Sequence, residues 1–370
     1  MAADGVFRVR ALSHPARQPR PQEPPEPLDG VGRPAPPPGP GALPGYDVVL
    51  EPEAAAAPDD RLVVLSDVRL DDAKAYDTLL AVLRRYNREA PAPGLFVLCG
   101  DFFAPRPPLQ GPAAWFEECA RTLAAFGREV AGCTRLAAAA HFVLVPGPND
   151  PTPFPGALPK AALLEPLTRG FREHVPRAHF ATNPGRVWWK RRCVHVFREN
   201  LLAKLHQQSM LRPRFSADAA AAAPTQDAPL RGREGAATFD ARAFADRAVD
   251  AAAVTVLQQG HCCPLSEYEQ PVLHHLDRLL HVPHLPDLLV LADQAAFGER
   301  TVLGCRCLSP GAFARSKAYA EVRLGGPEGM EVAARDENLG SSSPLLTLER
   351  KGREFHLRPA NAPAKLVRGA

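Results

Sequence analysis

Three short apolar runs, each leading to an aspartate and separated by helical periodicity, constrain this chain more than any other feature. Leu62-Val63-Val64-Leu65 ends in Ser66-Asp67, and Leu95-Phe96-Val97-Leu98-Cys99 ends in Gly100-Asp101. The third, His141-Phe142-Val143-Leu144-Val145, runs into Pro146-Gly147-Pro148-Asn149-Asp150. Such runs lack polar alternation, which suits strands covered on both faces, as in a parallel sheet. Between them, Asp72 to Tyr86 carries Leu79, Leu80, Val82 and Leu83 at helical spacing, and Ala113 to Val130 reads as a second amphipathic helix. Strand, helix, strand, helix, strand is the order of an α/β sheet, whose functional groups gather beyond the carboxyl ends of its strands. Asp67, Asp101 and Asp150 are therefore expected on one rim.

The rest of the chain is more mixed. Leu163 to His174, Asn200 to Met210 and Phe239 to Leu257 are expected helices. Arg186 to Trp189, Cys193 to Phe197, Leu288 to Ala292, Thr301 to Leu308 and Ala318 to Leu324 are expected strands. Lys190-Arg191-Arg192 beside Trp188-Trp189 reads as a solvated hairpin with packing aromatics, in preference to an import signal or a nucleic-acid contact. His274, His275, His281 and His284 cluster in sequence, but no carboxylate or cysteine is expected to complete a site with them.

Composition limits the remainder. The chain has 370 residues, enough for a sizeable core, and 41 prolines that are unevenly spread. The stretch from Pro15 to Pro44 has too few aliphatic residues to offset its ordering entropy. Residues 15–60 accordingly read as a disordered Pro/Gly/Ala-rich linker, 216–238 as a low-complexity insertion and 325–370 as a flexible tail. Val6 to Leu12 alternates like a half-buried strand that needs a sheet elsewhere. A net charge of +3 gives no argument for a dedicated nucleic-acid surface. The eight cysteines include no CxxC pair, so neither a zinc site nor a disulfide framework is expected. No run reaches transmembrane length, and a soluble protein of a reducing compartment is expected.

Four segments recur in a familiar order: Ser66-Asp67-Val68-Arg69, Gly100-Asp101-Phe102-Phe103-Ala104, Pro146-Gly147-Pro148-Asn149-Asp150 and Gly260-His261-Cys262-Cys263. They resemble the DxH, GDxxD, GNHD and GHxH signatures of calcineurin-like phosphoesterases, whose paired metal ions activate water for phosphoester hydrolysis. Every segment departs from its pattern. Arg69 stands for a ligand histidine, Ala104 for an aspartate, Pro148 and Asn149 for asparagine and histidine, and Cys263 for the second histidine. Asp67, Arg69, Asp101, Asn149, Asp150, His261 and Cys263 are thus read as vestigial positions that hold no metal and catalyse nothing. Taken singly, each segment is as readily a turn; their order and strand-end placement carry the resemblance.

Longer matches narrow the family. Val63 to Val68, Leu98 to Phe102 and Val143 to Pro151 resemble the B subunits of replicative DNA polymerases. Thr182-Asn183-Pro184, Val196 to Leu201, Gln259-Gly260-His261, Pro286 to Asp293 and Ser309 to Phe313 resemble the epsilon branch in particular. The resemblance implies an α/β fold: a calcineurin-like metallophosphoesterase β-sandwich flanked by helices, inactivated, over residues 61–324. Residues 1–14 are then expected to be the remnant strand of an otherwise absent N-terminal OB fold. It further implies a nuclear, non-catalytic accessory subunit that scaffolds the C-terminal region of the DNA polymerase epsilon catalytic subunit. Other small holoenzyme subunits and DNA are expected in that complex, with no cofactor and no membrane. The alternatives are an active metal-dependent phosphoesterase or nuclease using Asp67, Asp101, Asp150 and His261, or the B subunit of another replicative polymerase.

Overall fold

Alternation along a single strand sets the layers of the molecule. In a computed structural model describing residues 46–103, 111–208, 241–294, 297–326, 329–337, 346–351 and 354–359, strand β2 (Arg61–Leu65) is buried on both faces. Val63 and Leu65 enter one apolar core, whereas Leu62 and Val64 enter another. The same division holds for β3 (Leu95–Cys99) and β4 (His141–Val145), because successive side chains point to opposite faces of a sheet. These three strands are the expected ones, and they pair in parallel in that order.

One mixed six-stranded sheet has the order β12-β11-β2-β3-β4-β5, with β5 Ala178–Phe180, β11 Ala318–Gly326 and β12 Gly329–Asp336. The other has the order β1-β6-β7-β8-β10-β9. Its members are β1 (Asp47–Leu50), β6 (Gly185–Trp189), β7 (Arg192–Phe197), β8 (Leu288–Leu291), β9 (Gly298–Val302) and β10 (Cys305–Ser309). Val187, Val194, Val196, Leu288, Val290 and Leu308 face Leu62, Val64, Val97 and Val143 across a common core, so the sheets stack as a sandwich.

Helices close the outer faces. Helix α1 (Ala73–Arg88) starts on Asp72, whose carboxylate accepts from Ala75 N, and buries Ala75, Leu79, Val82, Leu83 and Tyr86 along one stripe. With α2 (Pro112–Gly132), α3 (Thr134–Ala139) and α4 (Glu165–His174) it covers the first sheet. Helices α5 (Leu201–Gln208) and α6 (Ala241–Gln259) cover the second, through Leu201, Ala252, Ala253, Val256 and Leu257. Helix α7 (Phe313–Ser316) adds Phe313 to the first core.

Several expectations are corrected. Residues 15–60 do not all form a linker: Asp47–Leu50 is a strand paired in parallel with β6, with Val48 and Leu50 in the intersheet core. Thr301 to Leu308 is two strands, because Leu303 and Gly304 both take positive φ (51° and 78°) and turn the chain into a hairpin. Nor is the stretch from 325 onward simply a tail. Its β12 pairs antiparallel with β11, and Met330 and Val332 pack against the intersheet core. Strands β13 (Leu346–Lys351) and β14 (Glu354–Pro359) form a separate antiparallel pair. The expected hairpin at Lys190-Arg191 is present between β6 and β7, with Trp188 and Trp189 buried. Residues 1–14, Ala104 and the 216–238 insertion lie outside the described residues. All eight cysteines are buried and unbridged.

Candidate functional site

The carboxyl ends of β2, β3 and β4 meet on one rim, as expected, and backbone hydrogen bonds stitch it together. Val68 N donates to Cys99 O (3.1 Å), Gly100 N to Val145 O (2.9 Å) and Phe313 N to Ser66 O (2.8 Å). Asp67, at φ 55° in the left-handed region that aspartate tolerates, is 1 % exposed, and Asp101 is fully buried.

Two buried carboxylates need compensating positive charge. Its principal source is Arg198, just past the end of β7 on the opposite sheet and itself fully buried. Its Nη2 lies 3.4 Å from Asp101 Oδ2 and 3.5 Å from Asp67 Oδ1. The rest of the guanidinium is also engaged. Nε donates to Gly100 O, and Nη1 donates to Asn200 Oδ1 (3.0 Å) and Ala292 O (3.2 Å). Asn183 fixes the backbone beneath: its Oδ1 accepts from Arg198 N at 2.9 Å, and its Nδ2 donates to Arg198 O and Pro146 O.

Arg69 adds a second guanidinium, 3.4 Å from Asp67 Oδ1 and 4.0 Å from Asp101 Oδ2. Asn149 also serves Asp101, giving its backbone N–H to Oδ1 and its amide to Oδ2, both at 2.8 Å. Lys160, 2 % exposed, supplies a third cation nearby. Burial pulls its ammonium below the ordinary lysine value, while Glu199, Asp101 and Asp150 pull it back up.

Asp150 has a different part. Its Oδ1 accepts from Phe102 N (2.7 Å) and Phe103 N (3.2 Å), and its Oδ2 from Gly147 N (2.7 Å). The carboxyl thereby ties the loop after β3 to the loop after β4. Burial first, then Asp101, pushes its pKa up to about 7, against the three backbone donors. The loops approach so closely that only glycine fits at two positions. A Cβ on Gly100 would overlap Asp150 Oδ2, and one on Gly147 would overlap Asp101.

His261 and Cys263, the other two positions singled out in the sequence, join other groups. His261 turns to Asp277, with Nε2 3.2 Å from Oδ1, and Cys263 packs in the core under α5 and α6. Asp277 and His281 complete a cluster with His261, which corrects the expectation that no carboxylate accompanies these histidines. Asp277 and His261 are far apart in sequence, and only the chain reversal between them brings them together. Arg198 is the other residue that sequence patterning misses; an arginine immediately after a buried strand on the second sheet is the available signal.

Sequence likeness to known proteins extends across this rim. The chain is 32 % identical over 258 residues to "DNA polymerase epsilon subunit 2" of Homo sapiens, covering 70 % of this chain and 42 % of that protein. The Bos taurus protein of the same name is 31 % identical over the same length and shares. That of Drosophila melanogaster is 28 % identical over 279 residues, 75 % of this chain and 46 % of its own. The chain thus spans less than half the length of these relatives. The family described as the alpha/epsilon B subunit of DNA polymerase matches residues 62–299, which take in Asp67, Asp101, Asp150 and Arg198. By that match, the chain belongs to the family of DNA polymerase alpha/epsilon B subunits.

Proposed function

We propose that this chain is a non-catalytic accessory subunit of DNA polymerase epsilon, built on a calcineurin-like phosphoesterase fold whose metal centre has been replaced by arginine. The observation that carries the reading is Arg198, whose guanidinium lies within 3.5 Å of both Asp67 and Asp101. A pair of divalent cations needs several anionic or imidazole ligands converging from separate strands. Here the two buried carboxylates already face two guanidiniums, groups that arginine keeps charged at all accessible pH values. The third carboxylate, Asp150, spends both oxygens on backbone N–H groups, and His261 faces Asp277 instead. These groups do not fit a two-metal site, so no hydrolytic step is assigned to them.

What the rim retains is rigidity. Buried ion pairs and backbone staples fix the loops at the strand ends, and the two packed sheets behind them form a stable platform for a partner. The human, bovine and fly relatives are each named as a subunit of DNA polymerase epsilon. Those names support membership of the polymerase assembly; the partner we propose within it is the C-terminal region of the catalytic subunit, with other small subunits and DNA in the same nuclear complex. Residues 61–324 would form the scaffold domain, with β1 and β12 extending its sheets. The test is co-expression of the full chain with the catalytic subunit's C-terminal region. A stoichiometric complex surviving size-exclusion chromatography is expected. Separate elution of two folded proteins would overturn the scaffold reading.

A further inference from the structure

His261, Asp277 and His281 form a cluster that the scaffold reading does not use. Their ligand atoms all lie within 4.8 Å of one another. His261 Nε2 is 3.2 Å from Asp277 Oδ1, and His281 Nε2 is 3.0 Å from Asp277 Oδ2. In a tetrahedral zinc site, metal–nitrogen and metal–oxygen bonds of about 2.0–2.2 Å put neighbouring ligand atoms roughly 3.3–3.5 Å apart. Each imidazole–carboxylate separation is close to that value, but the two run to different oxygens of Asp277, so a small turn of the carboxylate brings one oxygen between both imidazoles.

The backbone holds the three residues in this relation. His261 and His281 sit opposite each other in an isolated antiparallel bridge. It is closed on one side by Val282 N donating to Gly260 O (2.7 Å) and on the other by Cys262 N donating to Leu280 O (2.8 Å). Asp277 lies one turn before His281 at the end of a 3₁₀ helix (His274–Leu280), which Leu276 and Leu280 anchor in the core. The nitrogen of His261 remote from the cluster is also engaged: Nδ1 is 3.0 Å from Cys263 O and 3.1 Å from Cys263 N. One ring tautomer accepts at Nδ1 from Cys263 N; the other, which metal binding requires, donates Nδ1–H to the Cys263 carbonyl and leaves the Nε2 lone pair free to coordinate. That is the orienting contact metal-bound histidines use.

We propose that His261, Asp277 and His281 bind a single zinc-class divalent cation, with water in the fourth position. Two imidazoles and one carboxylate suit a borderline transition metal; magnesium and calcium demand mostly oxygen ligands. Side-chain exposures of 22 %, 43 % and 54 % for His261, Asp277 and His281 leave the fourth position open to solvent. The site is separate from the strand-end rim and includes none of its carboxylates. Its effect is mechanical: the ion cross-links the turn after α6 to the 3₁₀ helix that leads into β8.

The full chain is titrated with Zn²⁺ alone against a chromophoric chelator, and with Co²⁺ followed by visible absorption. Expected are one tight equivalent of zinc and a four-coordinate cobalt spectrum without a thiolate charge-transfer band. Asp277→Asn and His281→Ala are each expected to weaken zinc binding at least about ten-fold. Their metal-free thermal unfolding should match the parent, since His281 is more than half exposed. Unchanged affinity in both variants, a thiolate band, or no zinc uptake by the folded parent would overturn the proposal. A variant that fails to fold is replaced by His261→Gln, read in the same way.

Discussion

Arg198 and Asp101, 97 positions apart in sequence and both fully buried, meet at 3.4 Å between Nη2 and Oδ2. The contact joins the two sheets at the rim where the α/β topology collects its functional groups. Asp67 shares the same guanidinium, so one cation compensates two buried anions.

Removing that cation strands both carboxylates. Arg198→Leu is expected to lower unfolding stability by about 3–5 kcal/mol, the usual cost of breaking a buried ion pair from one side. Arg198→Lys should recover little, because an ammonium cannot also serve Gly100 O, Asn200 Oδ1 and Ala292 O. Combining Arg198→Leu with Asp67→Asn and Asp101→Asn should restore part of the loss. Urea unfolding of the three proteins checks the series.

Close packing of the rim loops yields a second expectation. Gly147→Ala would drive its Cβ to 2.6 Å from Asp101 N and Gly100 C, backbone atoms that have no room to retreat. A loss of about 2–3 kcal/mol is expected, the upper part of the range for single substitutions. Gly132→Ala is the control: it ends α2 with nothing within 4 Å of the new methyl, and should be neutral or stabilising by up to about 1 kcal/mol. Thermal denaturation distinguishes the two.

Acid sensitivity should trace in large part to His195, with His179, lowered by burial to about 4, acting in the same sense. Complete burial, aided by Arg186, pushes the His195 imidazole down to about 3, whereas in the unfolded chain it titrates near 6.5. Below about pH 6.5 the unfolded state therefore binds a proton that the folded state refuses, and stability falls as pH drops toward about 3. Asp150 acts in the opposite sense. Its folded pKa is raised to about 7, so its contribution is full below about pH 4 and is lost as pH rises through 7. Urea unfolding between pH 4 and 7 should show His195→Leu flattening the acid-side fall, and Asp150→Asn should leave that fall in place.

Glu321 tests whether β12 belongs to the folded unit. Its Oε2 accepts from Tyr86 Oη (2.7 Å) and from Arg335 Nη2 on β12 (3.0 Å), and Oε1 lies 3.5 Å from Arg61 Nη1. Tyr86→Phe should cost about 1.5–3 kcal/mol, as expected for a hydrogen bond to a buried charge. A double-mutant cycle between Glu321→Gln and Arg335→Ala should return a coupling of about 0.5–3 kcal/mol. Zero coupling would detach β12 from the sheet.

Much of this arrangement is legible in the sequence, for a physical reason. Val63, Phe96 and Val143 lie in runs buried on both faces, and such runs announce a central parallel sheet without any knowledge of partners. The aspartates that follow them mark the rim. Arg198 is not legible in its role, because its two partners come from the other sheet and nothing local to Val196-Phe197-Arg198 reports that contact. Asp47–Leu50 is hidden by its brevity amid proline and alanine. The hairpin at Leu303-Gly304 is masked because leucine seldom adopts positive φ. The His261–Asp277–His281 cluster depends on an isolated bridge, a contact to which sequence periodicity is blind.

The central claim, that guanidinium has displaced metal at the strand-end rim, is tested most directly by phosphodiester turnover with manganese. The full chain should release no product from a chromogenic phosphodiester above the protein-free rate, and Asp101→Asn should be indistinguishable from it. Manganese-dependent turnover that disappears in Asp101→Asn would contradict the claim and return the rim to catalysis.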